Sequence, residues 1–170
     1  MAPGYTGSGP DHWQSIWQRE HPEYRRVDQR DWNHPERDEW VRALDAAITT
    51  IAGPVLLVAH SLGCHTVAWW AAQFQAYIHA AMLVAPSDPD APNFPSVISG
   101  FRPVQLQRFS FPGLVVASGN DPLVTMDRAK FFAESWGCDF VNIGNAGHIA
   151  TADGYGSWLG GHLLLENLMV

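Results

Sequence analysis

The chain has 170 residues, 46% of them hydrophobic and 16% charged, a size and balance that suit one globular domain with its own core and exclude a disordered chain. Ten Lys and Arg against 17 Asp and Glu give a formal charge of -7, with no basic cluster dense enough to neutralise a row of phosphates, so neither nucleic acid nor membrane is an expected partner. Two cysteines, without any spacing suited to zinc or a disulfide framework, and the lack of a leader-like or membrane-length apolar stretch point to a cytoplasmic protein that needs no metal and no cofactor.

Along the chain, four of the eight tryptophans (Trp13, Trp17, Trp32 and Trp40) fall in the first quarter, where they should line a core or a pocket. Tyr24 to Val27 reads as a short edge strand. After His34-Pro35, the recurrence of Trp40, Leu44, Ile48 and Ile51 predicts a helix that covers one face of a sheet. Val55 to Ala59 follows the breaker Gly53-Pro54 as a continuous apolar run, which predicts a strand buried on both faces. Leu62 to Phe74 is apolar nearly all round and reads as a helix against the sheet centre. Ala80 to Ala85 and Leu114 to Ala117 repeat the strand pattern. Between them, residues 86–112 are proline-rich and aperiodic, a long loop with one short helix at most rather than an inserted lid. A helix over Met126 to Trp136, a weaker strand over Phe140 to Ile143 and a helix over Tyr155 to Met169 complete the series. Strands alternating with helices predict an α/β fold: a three-layer α/β/α sandwich around a mainly parallel sheet, in one domain over residues 1–170.

The chemistry centres on Ala59-His60-Ser61-Leu62-Gly63, which joins the first strong strand to the buried helix. A serine on so tight a turn is held in a strained backbone conformation that admits only small residues two positions away and pushes its hydroxyl above the sheet. The same pattern recurs by accident at Ala133 to Gly137, but Ser135 ends a helical run with no strand before it. The plainer reading of Ser61 is a helix N-cap.

A hydroxyl needs a base, and of the eight histidines His148 is the candidate, because it follows the last strand and would face the turn from the carboxyl edge of a parallel sheet. His60 and His65 adjoin Ser61 in sequence and read as packing or supporting residues. Asp121, after the strand Leu114 to Ala117, is the expected acid that fixes the imidazole. Its rivals are Asp88 and Asp90, and its plainer role is an Asx turn before Pro122. The Leu62 N–H at the head of the buried helix should stabilise a developing oxyanion, with the Tyr5 N–H of the glycine-rich segment Pro3 to Pro10 as second donor. With no lid, the substrate pocket is expected to be shallow, bordered by Trp13 and His60, and suited to short acyl groups.

Pro3-Gly4-Tyr5, Gly9-Pro10-x-His12-Trp13-Gln14, Val58 to Cys64, Val84-Ala85-Pro86, Ala117 to Pro122 and Gly147-His148-Ile149 occur in order over nearly the whole chain. Together they resemble the small lidless serine hydrolases of the YdeN and retinoblastoma-binding-protein-9 family. The resemblance implies a compact α/β-hydrolase fold, a triad carried by Ser61, Asp121 and His148, and esterase-like action on a small-molecule acyl substrate. It also implies an apolar strand ahead of Pro3, where this sequence has only Met1 and Ala2. The start is therefore truncated relative to that pattern or the strand is missing, and a free sheet edge and a loosely held Tyr5 loop are expected. The competing reading is a non-catalytic module that binds a ligand or a protein on the same scaffold.

Overall fold

The computed structural model describes residues 1–169. Four parallel strands stand in the order β1 (Val55–His60), β2 (Ile78–Val84), β3 (Gly113–Ala117) and β4 (Asp139–Asn142). Five helices accompany them: α1 (Trp13–Glu20), α2 (Arg37–Thr49), α3 (Leu62–Gln73), α4 (Met126–Trp136) and α5 (Leu159–Asn167). A parallel strand pair needs a crossover, and α3 and α4 supply two of the three, while residues 85–112 make the third as an extended loop without a helix.

Side-chain alternation along the strands divides the core in two. Val55, Leu57 and Ala59 of β1, with Ala81 and Leu83 of β2 and Val115 of β3, pack under α2, α3 and α4 against Leu44, Val67, Trp70, Phe132 and Trp136. The intervening Val58, Met82, Val84 and Val116 face α1 and α5 through Trp13, Trp17 and Leu165. Each such apolar side chain taken out of water contributes roughly 1.5–3 kcal/mol before the entropy of ordering is deducted. Among the described residues, no helix is long and apolar enough to cross a membrane.

Three elements depart from the sequence reading. Tyr24 to Val27 is not a strand, because its ladder is limited to Met1: Val27 N–H donates to Met1 O at 2.8 Å, and the Met1 amine to Arg25 O. The last helix starts only at Leu159, since Gly154, with φ 85°, and Trp158, with φ 35°, turn the chain just before it. Helix α1 was not foreseen; its N-cap is His12, whose ring accepts the Gln14 N–H, a role usually filled by Ser, Thr, Asp or Asn.

Met1 and Ala2 lie along the outer edge of β1. Ala2 N–H donates to Val58 O at 2.8 Å and Ala2 O accepts from His60 N–H at 3.1 Å, a parallel bridge to Ala59. Below that bridge, Val55 to Leu57 face a groove of about 260 Å³ walled by Leu44, Ile48 and Leu165. The segment leading into Tyr5 is thus pinned at its start by the outer edge of β1, not loosely held.

Candidate active site

Ser61 stands between β1 and α3 with φ 55° and ψ -123°. For a residue with a Cβ such a backbone costs roughly 1–3 kcal/mol and persists only where the surroundings fix it. Ser61 N–H donates to Val84 O at 2.9 Å, and the Ala2-Pro3 backbone passes so close to Gly63 that any Cβ there would collide with the Ala2 carbonyl oxygen. The Ser61 side chain makes no cap bond to α3, so the N-cap reading does not describe it.

His148 Nε2 lies 2.9 Å from Ser61 Oγ, and its Nδ1 lies 2.9 and 3.0 Å from the two Asp121 carboxylate oxygens. A carboxylate can only accept, so Nδ1 carries the proton and Nε2 offers its lone pair to the Ser61 hydroxyl. The Asp121 side chain is fully covered, whereas His148 keeps 14% of its side-chain exposure. Asp121 Oδ1 also accepts the Leu123 N–H at 2.8 Å, so it closes an Asx turn and faces His148 at once. The rivals are engaged elsewhere: Arg128 bonds Asp88 at 2.8 and 2.9 Å and Asp90 at 3.1 Å. Ser135 lies inside α4 and not on a strand-to-helix turn.

The loops that carry Asp121 and His148 are laced together by neighbours the sequence reading did not single out. Ser118 Oγ accepts the Ala146 N–H at 2.9 Å, Asn120 Oδ1 accepts the Gly147 N–H at 2.8 Å, and Gly119 N–H donates to Gly144 O at 2.7 Å. Asp153 accepts the N–H groups of His148 and Ala150 at 2.9 and 3.3 Å. The sequence held a signal for the first two, since Ser118 and Asn120 flank Asp121 in a turn of small polar residues.

The Tyr5 loop approaches Ser61 from the other side. A Cβ built on Gly4 would stand 2.7 Å from Ser61 Cβ and 3.2 Å from Leu62 N, so glycine is required for the approach. Neither the Tyr5 nor the Leu62 N–H donates a hydrogen bond among the described residues, and both residues line the cavity beside Ser61. The loop is tied behind by Ser8, whose hydroxyl donates to Gln14 Oε1 at 2.7 Å and whose carbonyl accepts from Arg26 at 3.0 Å.

That cavity measures about 380 Å³, a volume in the usual range for small-molecule sites of roughly 300–1,000 Å³. It is not the shallow mouth expected. Asp88, Phe94, Pro95 and Ile98 of the loop after β2 wall it, facing Tyr5, Thr6, His12 and His60. Trp13 must be corrected: it is fully buried, packs against Trp17 and Trp158, and does not line the cavity. Its place at helical spacing from Trp17 turns it into the core. Three imidazoles nearby are kept neutral. Burial pushes His12 and His65 down to about 4 and His60 well below its ordinary value, with the proximity of His148 adding to the effect on His12 and His60.

The family model for serine hydrolases matches residues 1–167. A YdeN-like hydrolase from Pectobacterium atrosepticum is 36% identical with a TM-score of 0.87, over 99% of this chain and 88% of that one. The ydeN gene product of B. subtilis is 20% identical with a TM-score of 0.82, over 98% and 95% of the two chains. Est1E from Butyrivibrio proteoclasticus, at 15% identity and a TM-score of 0.64 over 98% and 82%, shares the fold. No curated protein matches the chain.

Proposed function

The chain belongs to the serine hydrolase family, and from that premise we propose that it cleaves small carboxylic esters, or thioesters and activated amides of the same size, through an acyl-Ser61 intermediate, as a single domain in a reducing, cytoplasmic setting. The observation that carries the reading is the unbroken line of hydrogen bonds from Asp121 through His148 to Ser61. His148 Nε2 takes the hydroxyl proton as Ser61 Oγ attacks the carbonyl carbon. Asp121 holds the imidazole in the right tautomer and stabilises its charge. The N–H groups of Leu62 and Tyr5 receive the oxyanion, each such donor being worth about 3 kcal/mol in the transition state. The imidazolium then gives its proton to the leaving alcohol, and a water activated by His148 releases the acid.

The two unpaired thiols, Cys64 and Cys138, suit the reducing compartment. Phe94, Ile98 and Leu62 offer apolar contact to the acyl group, and His60 borders its path. A fluorophosphonate probe followed by peptide mapping tests the reading: label is expected on Ser61, abolished by Ser61→Ala. Label on Ser135, or none on folded protein, would refute it.

A further inference from the structure

Ile149, the residue after the base, is fully buried and holds φ 52°. A β-branched side chain in the left-handed region is a genuine outlier, and its strain persists only where neighbours over-determine it. Two buried ring N–H groups do so. His60 Nε2 lies 2.9 Å from the carbonyl oxygen of His148, and Trp13 Nε1 lies 3.0 Å from that of Ile149. Carbonyls only accept, so the His60 proton sits on Nε2. The two rings come from the last residue of β1 and the first of α1, and both brace successive carbonyls of the base loop.

The donors are themselves closely packed. His60 is packed between His12 and His148, with ring centroids 4.8 and 4.9 Å away, and Trp13 meets it edge-on at 5.9 Å. Neither ring N–H touches the cavity chemistry directly, yet both act on the backbone atoms that aim His148 Nε2.

We propose that His60 and Trp13 are positioning residues: a two-donor clamp on the His148 and Ile149 carbonyls that holds Ile149 in its strained conformation and thereby sets the distance from His148 Nε2 to Ser61 Oγ. The inference rests on His148 acting as base for Ser61. It gives a task to the imidazole that directly precedes the serine, since from the end of β1 its Nε2 reaches the base loop. It also gives the His-Trp-Gln run of α1 a task, with His12 capping the helix, Trp13 gripping the base loop and Gln14 reaching Ala2 O at 3.5 Å.

The test compares His60→Phe, His60→Gln and Trp13→Phe with the unaltered protein, each first shown to keep its circular dichroism, on p-nitrophenyl butyrate and on fluorophosphonate labelling. A shift of about 1 Å in a reacting group costs on the order of a hundredfold. In His60→Phe and Trp13→Phe, kcat and the Ser61 labelling rate should therefore fall together by about ten- to a hundredfold. In Trp13→Phe, whose ring does not line the cavity, KM should stay within about twofold, because ground-state binding is untouched. His60→Gln restores an N–H near the place of Nε2 and should recover most of kcat. Should Trp13→Phe fail to fold, the pair at position 60 decides alone. Full activity in folded His60→Phe, a rise in KM with kcat unchanged, or a Gln variant as impaired as Phe would overturn the clamp while leaving the proposed function standing. Absence of Ser61 labelling in the unaltered protein would overturn both.

Discussion

Three buried imidazoles make acid stability a sharp test of the packing around the site. Burial pushes His12 and His65 down to about 4 in the folded protein against 6.5 for a free imidazole, and pushes His60 in the same direction. As pH falls through 6.5 the unfolded chain takes up protons that the folded chain refuses, so the stabilisation is complete above pH 6.5 and is lost progressively toward pH 4. Each group contributes about 1.4 kcal/mol per pH unit in that window. By pH 5 the loss is roughly 2 kcal/mol each for His12 and His65, with His60 acting in the same direction, against a total stability of about 5–15 kcal/mol for an ordinary domain. Urea titrations followed by tryptophan fluorescence at pH 8, 7, 6 and 5 measure this directly, since five of the tryptophans are among the largest fully buried side chains. The unfolding free energy should fall gently from pH 8, where the Met1 amine, lowered from 8.0 to about 5, begins to protonate in the unfolded chain, and more steeply below pH 6.5 as the imidazoles join it. His65→Phe should reduce the slope between pH 6.5 and 5 by about one proton. A flat profile down to pH 5, or a slope unchanged by His65→Phe, would refute the claim that these rings are buried in neutral form.

Asp121→Asn should lower kcat by about 10⁴-fold with the fold retained, because the wrong tautomer is then favoured; Asp88→Asn should lower Tm instead, through the loss of its bidentate pair with Arg128, and steady-state rates with thermal melts separate the two. Gly4→Ala should abolish ester turnover, because its Cβ would stand 2.7 Å from Ser61 Cβ, and an active, normally folded Gly4→Ala protein would contradict the described approach of the Tyr5 loop. In a series of p-nitrophenyl esters, kcat/KM should rise about fourfold for each methylene buried from acetate toward hexanoate, at about 0.8 kcal/mol apiece, until the cavity of about 380 Å³ is filled. A maximum at acetate would restore the shallow pocket expected from the sequence.

The sheet was legible because strands buried on both faces leave continuous apolar runs between Gly and Pro, and because α3 and α4 carry their own punctuation, down to Gly137 with φ 72° after Trp136. Ser61 could be distinguished from Ser135 by what precedes each of them. The roles of His60 and Trp13 were not legible: both depend on carbonyls of a loop 88 and 136 residues away, and no local pattern encodes a contact of that range. Helix α1 escaped notice because a histidine caps it. The cavity wall was missed for a different reason. Residues 85–112 have no periodicity, so nothing in their sequence tells an extended loop that folds over the site from one that lies beside it.

The central claim is that Ser61 becomes covalently acylated during turnover. Rapid mixing with p-nitrophenyl butyrate, acid quenching and mass spectrometry of the peptides test it most directly. A butyryl group on the peptide containing Ser61, formed with a burst of p-nitrophenol and absent in His148→Ala, is the expected result. Steady product release with no acyl group on Ser61 at any time, or acylation at another residue, would contradict it.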